Sequence, residues 1–207
     1  MACEWKKCSF TCGTYKEFQE HVDEHVAKEI VLNEDMYECM WDLCSYKTEL
    51  LTDLHSHIYF HVHHTKIKIF GEELLTRKKV PPCQLDSRRR NIIPPINPAV
   101  LSCQWTDCEK KFAKIYDLYF HLAEHCRFEG KLISSKTDVM KCQWNECTKE
   151  FRLTQRLIEH SRLHTKEKIL SCPNCGSCFC NYPKFYDHFK RQGVVVDSKF
   201  FFCFCFM

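Results

Sequence analysis

The chain has 207 residues, of which 17 are Cys and 12 are His, and its formal net charge is +3. No apolar run approaches the ~20 residues of a membrane span, and the first residues, MACEWKKCSF, lack the apolar core of a secretory signal, so we expect neither. Without secretion, and with an odd number of Cys, disulfides explain the composition poorly, and metal ligation is the remaining ordinary interpretation.

One pattern of two Cys and two His repeats along the chain, with gaps of four, twelve and three residues between successive members. Four units share all three gaps: Cys3, Cys8, His21 and His25; Cys39, Cys44, His57 and His61; Cys103, Cys108, His121 and His125; Cys142, Cys147, His160 and His164. A fifth unit starts with Cys172, Cys175 and His188, and it has a two-residue gap between its Cys.

Two Cys on a short β-hairpin and two His one helical turn apart are the ligands of a tetrahedral Zn²⁺ site. The sequence therefore predicts tandem ββα zinc fingers of the Cys-Cys-His-His type. We expect them at residues 3–25, 39–61, 103–125 and 142–164, which we call fingers one to four. An incomplete finger five covers 172–193, a basic Pro-containing linker covers 62–102, and a divergent tail covers 194–207.

A finger of ~25 residues buries too little apolar surface to fold alone, so Zn²⁺ must supply most of the folding free energy. Four protein ligands leave no open coordination position, which argues against metal catalysis. The sequence also lacks a Gly-rich phosphate loop and a nucleophile constellation, so we do not expect an enzyme. The expected cofactor is Zn²⁺ at four structural sites and at a weaker fifth.

The four Trp of the chain follow the finger repeat, since each lies two residues after the first Cys of a finger. They are Trp5, Trp41, Trp105 and Trp144. One interpretation is that the Trp pack finger one on finger two and finger three on finger four, making Trp-containing tandem pairs. The alternative is that each Trp only covers its own metal site.

The linker between fingers two and three begins KIKIFGEELLTRKKV, in which EELLTRKK favours a short helix. The prolines Pro81, Pro82, Pro94, Pro95 and Pro98 then keep the chain extended or turned. Because the linker is not of low complexity, we expect part of it to dock on a finger. We interpret Cys83 and Cys126 as free thiols or core residues, and His64 as a surface residue.

Charge divides the chain unevenly. Residues 1–61 hold 5 Lys/Arg against 12 Asp/Glu, whereas residues 62–100 hold 8 against 3 and residues 101–207 hold 17 against 12. DNA affinity is chiefly electrostatic, so we expect any DNA contact to come from the later fingers. The alternative is that the asymmetry is only solvated surface.

The segment TKEKILS between fingers four and five has the length typical of two fingers that follow one DNA groove. Base contacts in such arrays come from helix positions −1, 3 and 6. Counting back from the first His predicts base or supporting contacts from Arg152, Gln155, Arg156, Asn181 and Lys184. Each of these is equally compatible with an exposed helix side chain.

Finger five lacks a second His, because Gln192 stands four residues after His188. Cys178, Cys180, Cys203, Cys205 or a water molecule are the candidates for its fourth ligand. We therefore expect weaker metal binding there.

The chain also resembles a known family. The segments YFHVHHTKIKIFG, PPCQLDSRRRNIIPPI and SCPNCGSCFCNYPKFYDHFKRQ are similar to those of histone nuclear factor P, a family of zinc-finger transcription factors, over roughly residues 3–193. The family continues into further fingers, whereas this sequence ends at FFFCFCFM. It is identified as a truncated or divergent member.

The resemblance implies a nuclear protein that binds promoter DNA sequence-specifically and regulates RNA polymerase II transcription of histone four genes at the G1/S transition of the cell cycle. It also implies two protein partners, the coactivator NPAT and a methyl-CpG-binding protein. Two other functions stay open from the residues. The acidic first pair favours a protein-interaction adaptor, and aromatic helix positions such as Tyr116 and Phe120 are compatible with RNA stacking.

Overall fold

A computed structural model describes residues 1–28, 30, 32–33, 36–91, 93, 101–132 and 138–193. The predicted tail 194–207, with Cys203 and Cys205, lies outside the described residues, as do Pro94, Pro95 and Pro98. The chain forms two compact units. Unit 1 takes in residues 1–54, 61–94 and 168–207, and unit 2 takes in residues 55–60 and 95–167.

The elements follow the predicted order of short hairpins and helices, which confirms the tandem zinc-finger fold. The helices are α1 (Tyr15–Lys28), α2 (Leu51–Arg77), α3 (Ile115–Lys131), α4 (Thr154–Thr165) and α5 (Tyr182–Lys190), with a 3-10 turn at Ser87–Arg89. The strands are β1 (Leu32–Asn33), β2 (Met36–Glu38), β3 (Lys47–Thr48), β4 (Met140–Lys141), β5 (Glu150–Phe151), β6 (Leu170–Ser171) and β7 (Cys178–Phe179).

All strand pairs are antiparallel and short. The first sheet has the order β1-β2-β3, with Tyr37 opposite Thr48, while β4 pairs with β5 and β6 pairs with β7. In fingers one and three the hairpin is reduced to single bridges, Ala2 to Thr11 and Ser102 to Lys111. Hairpins this short are unstable alone, so each needs its helix and its metal site.

Each finger buries one apolar side chain under its helix, three residues before the first His. These side chains are fully buried, and they are Phe18, Leu54, Leu118, Leu157 and Phe185. Local capping starts two of the helices. In finger one, Thr14 and Glu17 form a reciprocal capping box with two bonds of 3.2 Å, and in finger five the Asn181 side chain accepts the Lys184 amide at 3.0 Å.

Helix α2 is much longer than a finger helix. The sequence favoured a separate short helix at EELLTRKK, but those residues continue the finger-two helix without a break to Arg77. No Pro interrupts the chain between finger two and Pro81, so nothing in the sequence ends the helix at His61. The 27-residue helix thus joins finger two to the linker.

Within unit 1, finger five packs against the second half of α2. The His64 ring Nε2 lies 2.8 Å from Ser171 Oγ and 3.0 Å from the Gly176 carbonyl, and the His63 ring lies 3.0 Å from the Lys168 carbonyl. His64 is 1% exposed, so its interpretation as a surface residue was wrong. A shared apolar core covers this contact: Leu74, Leu75, Cys83, Leu170, Cys172, Cys175, Phe185, Tyr186 and Phe189.

The linker also docks on fingers one and two through a buried polar network. The Lys68 ammonium donates to Glu4 at 3.1 Å and to the Asn91 side chain at 2.9 Å. Asn91 is fully buried and donates to the Asp42 carbonyl at 2.8 Å, and Arg90 pairs with Glu4 at 3.2 Å. The expectation that part of the linker docks on a finger is therefore confirmed.

Unit 2 contains fingers three and four, whose helices contact each other. Cys126 on α3 is fully buried, as expected of a core thiol. Gly130 near the end of α3 lies so close to Thr154, the first residue of α4, that a Cβ at this position would overlap the Thr154 side chain. No helix in the described part of the chain is long and apolar enough to cross a membrane.

Gly71 offers a test of the packing of finger five on α2. A Cβ at Gly71 would overlap the Ser171 carbonyl of β6. In an isolated helix Gly71→Ala would stabilise by about 1 kcal/mol. We expect the opposite here, a loss of about 1–3 kcal/mol from overpacking.

Denaturant unfolding of the zinc-loaded chain, followed by hydrogen exchange of unit 1 amides, measures this effect. Gly13→Ala is the control, because a Cβ at Gly13 meets no atom within 4 Å. Equal or higher stability of Gly71→Ala would contradict the close packing of α2 on finger five.

Candidate metal centres

Four groups of Cys and His converge as the repeat predicted. Within each group the ligand atoms all lie within 4.8 Å of one another. The groups are Cys3, Cys8, His21 and His25; Cys39, Cys44, His57 and His61; Cys103, Cys108, His121 and His125; Cys142, Cys147, His160 and His164. No disulfide joins the cysteines of the described residues.

The loop between the two Cys of a finger, which we call the knuckle, has one geometry in all four. The residue before the second Cys adopts a left-handed conformation, with φ between 58° and 65° at Lys7, Leu43, Asp107 and Glu146. In finger one the Cys8 amide then donates to the Trp5 carbonyl at 2.9 Å. This tight turn brings both thiols to the same side of the hairpin.

The helix supplies the other two ligands from adjacent turns. In finger one the two Nε2 atoms of His21 and His25 lie 3.0 Å apart, and Cys8 Sγ lies 3.2 Å from His21 Nε2. Fingers three and four repeat these distances within 0.2 Å, at 3.0 and 3.3 Å in finger three and 3.2 and 3.3 Å in finger four. A tetrahedral Zn²⁺ with standard bond lengths places neighbouring sulfur and nitrogen ligands about 3.3–3.6 Å apart. The observed separations are a few tenths of an ångström shorter, so the two thiols and two imidazole Nε2 atoms converge on one point and need only a small outward shift to hold Zn²⁺.

Burial shifts the pKa values of the thiols and of the imidazoles in opposite directions. It raises the pKa of the Cys3 and Cys142 thiols to about 12 and that of Cys103 to about 11. Burial lowers the pKa of the ligand imidazoles in fingers three and four, which are His121, His125, His160 and His164. At neutral pH the imidazoles are therefore ready to bind, whereas the thiols must release protons to the solvent when a metal ion binds.

Each Trp covers its own metal site by stacking on the second His. Trp5 lies parallel to His25 with ring centroids 4.9 Å apart, and Trp41 lies parallel to His61 at 4.8 Å. The other two Trp stack in the same way: Trp105 on His125 and Trp144 on His164. The stack fixes the orientation of the imidazole and shields the site from water.

The Trp also join the fingers in pairs. Trp5 and Trp41 form an antiparallel backbone bridge, and so do Trp105 and Trp144. In the first pair the Lys6 amide donates to the Met40 backbone carbonyl at 2.8 Å, and the Asp42 amide donates to the Glu4 backbone carbonyl at 2.6 Å. The two alternatives left open by the sequence, covering the metal site and pairing the fingers, therefore describe one arrangement.

Finger five brings together Cys172, Cys175 and His188, with Cys175 Sγ 3.6 Å from His188 Nε2. A fourth donor atom joins them, the Sγ of Cys83 from the linker. Sequence reasoning missed this contribution because Cys83 lies about 90 positions before finger five. The available signal was the single Cys within the otherwise Cys-free linker, inside one of the segments that carried the resemblance.

The residues predicted to contact bases lie at the N-terminal ends of α4 and α5. Arg152, Gln155 and Arg156 are exposed around the start of α4, where Arg156 pairs with Glu159 at 2.9 Å. Lys184 is exposed on the first turn of α5, and Asn181 is half-buried as the cap of that helix.

Finger two has one of its base-reading helix positions, position 6, withdrawn from solvent. Ser56, one residue before the first His of that finger, is 9% exposed and is withdrawn from solvent.

Comparison with known proteins gives two relatives with one name. No protein-family model matches the chain. The Homo sapiens protein named Histone H4 transcription factor is 35% identical over 221 aligned residues, which include 98% of this chain and 42% of the human protein. The Bos taurus protein of the same name is 36% identical over 214 residues, 97% of this chain and 41% of the bovine protein. The chain thus spans about two fifths of the length of these relatives.

The Trp bridge between fingers one and two is tested by Trp41→Ala. Trp41 is fully buried, stacks on His61 and meets Trp5 edge to face at 6.5 Å. Truncation of a buried aromatic side chain costs about 3–5 kcal/mol. We expect the Lys6 and Asp42 amides to lose most of their protection from hydrogen exchange.

The second finger pair is an internal control in the same molecule. The equivalent amides of Thr106 and Asn145, which bridge Trp105 and Trp144, keep their protection. If Lys6 and Asp42 stayed protected in Trp41→Ala, the Trp would not hold the first pair together.

Proposed function

Because this chain is homologous over 98% of its length to the proteins named Histone H4 transcription factor, we propose that it is a zinc-dependent transcription regulator of histone genes that binds promoter DNA. The single observation that carries the proposal is this homology along the whole finger array. The finer expectations belong to the proposal as well: a nuclear location, sequence-specific binding, action at G1/S, and contact with NPAT and a methyl-CpG-binding protein.

We propose Zn²⁺ as the metal of fingers one to four. The support is the donor set of two thiols and two imidazoles in each group, at separations suited to tetrahedral coordination. When bound, Zn²⁺ crosslinks the knuckle to the helix and neutralises the two thiolates. The ligands hold the helix at a fixed angle to the hairpin, which sets the direction in which its N-terminal residues point.

The proposed DNA surface lies on the later fingers. Arg152, Gln155 and Arg156 are exposed around the first turn of α4, and arginines at such positions donate to guanine in the major groove. The positive charge of the surrounding sequence favours binding to the phosphate backbone of DNA, because residues 101–207 carry five more basic than acidic residues. Lys184 on α5 is the corresponding exposed donor of finger five.

Fingers one and two have a different proposed role. They carry an excess of seven acidic residues over 1–61, which repels phosphate. On the finger-two helix Ser56 at position 6 is withdrawn from solvent, and the linker docks on the knuckle of the same finger through Asn91. These observations favour a second candidate function for this part of the chain, as a platform for a protein partner.

Chelation tests the dependence of the fold on metal. We expect removal of the metal from the loaded chain to abolish most of the helical circular dichroism, because each finger buries only one small apolar cluster. Addition of Zn²⁺ restores the signal. Addition of Mg²⁺ serves as the control and restores nothing, because Mg²⁺ prefers oxygen ligands. A metal-free chain that kept its helices would refute a metal-stabilised fold.

DNA reading is tested by selection from random duplexes, followed by Arg156→Ala. We expect one enriched sequence, and a loss of about 1–3 kcal/mol for the variant, with relaxed preference at one base pair. Lys16→Ala is the matched control. Lys16 is also exposed on a finger helix and paired with an acidic residue, but it lies in the acidic first finger.

Comparison of the two variants distinguishes recognition of a base by Arg156 from a nonspecific effect of its positive charge. Both variants remove one positive charge, so equal losses would mean that Arg156 acts only through its charge. Absence of any enriched sequence with the zinc-loaded chain would overturn the DNA-binding proposal for these residues and leave the platform function as the better explanation.

A further inference from the structure

Finger five is incomplete by the standard of the other four. Where its second His would stand, Gln192 turns back to its own helix and donates to the His188 carbonyl at 2.8 Å. An amide is a poor ligand for Zn²⁺ beside thiolates and imidazoles. The oxygen of this side chain is also occupied, since Gln192 Oε1 accepts a hydrogen bond from the Gln84 amide at 2.8 Å.

The hydrogen bond from the Gln84 amide to Gln192 holds the neighbouring residue, Cys83, beside finger five. Cys83 is 7% exposed, and its Sγ lies within 4.8 Å of the ligand atoms of Cys172, Cys175 and His188. The Leu85 amide lies 3.4 Å from Cys83 Sγ and points its hydrogen at the sulfur. Finger one has the same kind of contact, from the Phe10 amide to the ligand sulfur of Cys8 at 3.5 Å.

A second side chain holds the linker from the knuckle of finger five. Asn174, between the two Cys of that knuckle, donates to the Cys83 carbonyl at 2.9 Å and to the Leu85 carbonyl at 2.8 Å. Gln192 and Asn174 therefore hold residues 83–85 by three hydrogen bonds, which fixes the backbone that carries the Cys83 thiol.

We propose that Cys83, Cys172, Cys175 and His188 form a fifth Zn²⁺ site, of the Cys3-His type, in which the linker supplies the ligand that finger five lacks. Three thiolates and one imidazole are a recognised donor set of structural zinc. The site crosslinks residues about 90 positions apart in the chain, so its metal ties the linker to finger five. This inference rests on the proposed binding of zinc.

The other cysteines near finger five do not compete in the described structure. Cys178 donates its thiol hydrogen to the Gly176 carbonyl at 3.4 Å, and Cys180 is not part of the ligand group. The expected weakness of finger five is therefore replaced by a site with four protein ligands.

The site also explains the path of the linker after Cys83. The chain continues through the Ser87–Arg89 turn to Arg90, whose carbonyl lies against Gly176. Gly176 has φ of 73° and no room for a Cβ, so the linker touches the finger-five hairpin at a second point. Arg90 and Asn91 then reach fingers one and two. Metal in the fifth site would hold the start of this path.

Native mass spectrometry of the full chain measures the number of bound Zn²⁺ ions. We expect five in the original protein and four in Cys83→Ser. The three ligands left at the fifth site of the variant should bind Zn²⁺ at least about 100-fold more weakly, since even indirect partners of ligands change affinity by 10–100-fold. Cys180→Ser is the matched control, because it removes a neighbouring thiol outside the ligand group, and it keeps five.

Cobalt substitution gives a readout that needs no variant. The thiolate-to-metal absorption of the fully loaded original chain should correspond to eleven thiolates, two from each of four fingers and three from the fifth site, instead of ten.

Digestion with trypsin supplies a third measurement. Arg88 and Arg89 are exposed, and we expect them to be cut several-fold faster in Cys83→Ser than in Cys180→Ser.

The outcomes separate this site from the proposed function. Four ions in the original protein, or five in Cys83→Ser with unchanged affinity, would overturn the fifth site and leave the four-finger array intact. Loss of the fifth ion in Cys180→Ser but not in Cys83→Ser would also overturn it. An original protein that bound no zinc would instead overturn the proposed function itself.

Discussion

Closure of four ligands around one metal ion is the constraint on which the rest of the structure depends. A finger has only a few buried apolar side chains under its helix, and its hairpin has strands of two or three residues or a single bridge. Such a module cannot offset the entropy of ordering its chain. The ligand atoms, held within 4.8 Å of one another, make the crosslink between hairpin and helix that the small core cannot provide.

The Trp side chains extend this local crosslink to pairs of fingers. Each Trp stacks on the second His of its own site, so its position is set by the metal site. The same Trp places its backbone where it bridges the neighbouring knuckle. Metal closure and finger pairing are therefore coupled, because a finger that lost its ligands would also lose the support for its partner.

In unit 1 the fingers and the linker pack on one another instead of forming independent modules. Helix α2 continues beyond finger two and carries His63, His64 and Gly71, against which finger five packs. The linker then returns over both, held by Lys68 and Asn91. Flexible finger arrays adjust to DNA module by module, whereas this arrangement orders several modules in advance. That order favours a defined surface on the acidic fingers and leaves the basic later helices for proposed DNA contact.

The sequence by itself determined the finger repeat and the four groups of ligands, because each depends on spacing within a single finger. It offered the pairing of Trp5 with Trp41 as one of two alternatives, and the backbone bridge between them is a feature of the structure. Only the tertiary structure decided where α2 ends and which residue completes finger five. Local spacing cannot reveal that Gln192 and Asn174 both bond to the linker backbone beside Cys83. Those contacts join residues 91 and 108 positions apart, and their geometry exists only once α2 and finger five have packed together.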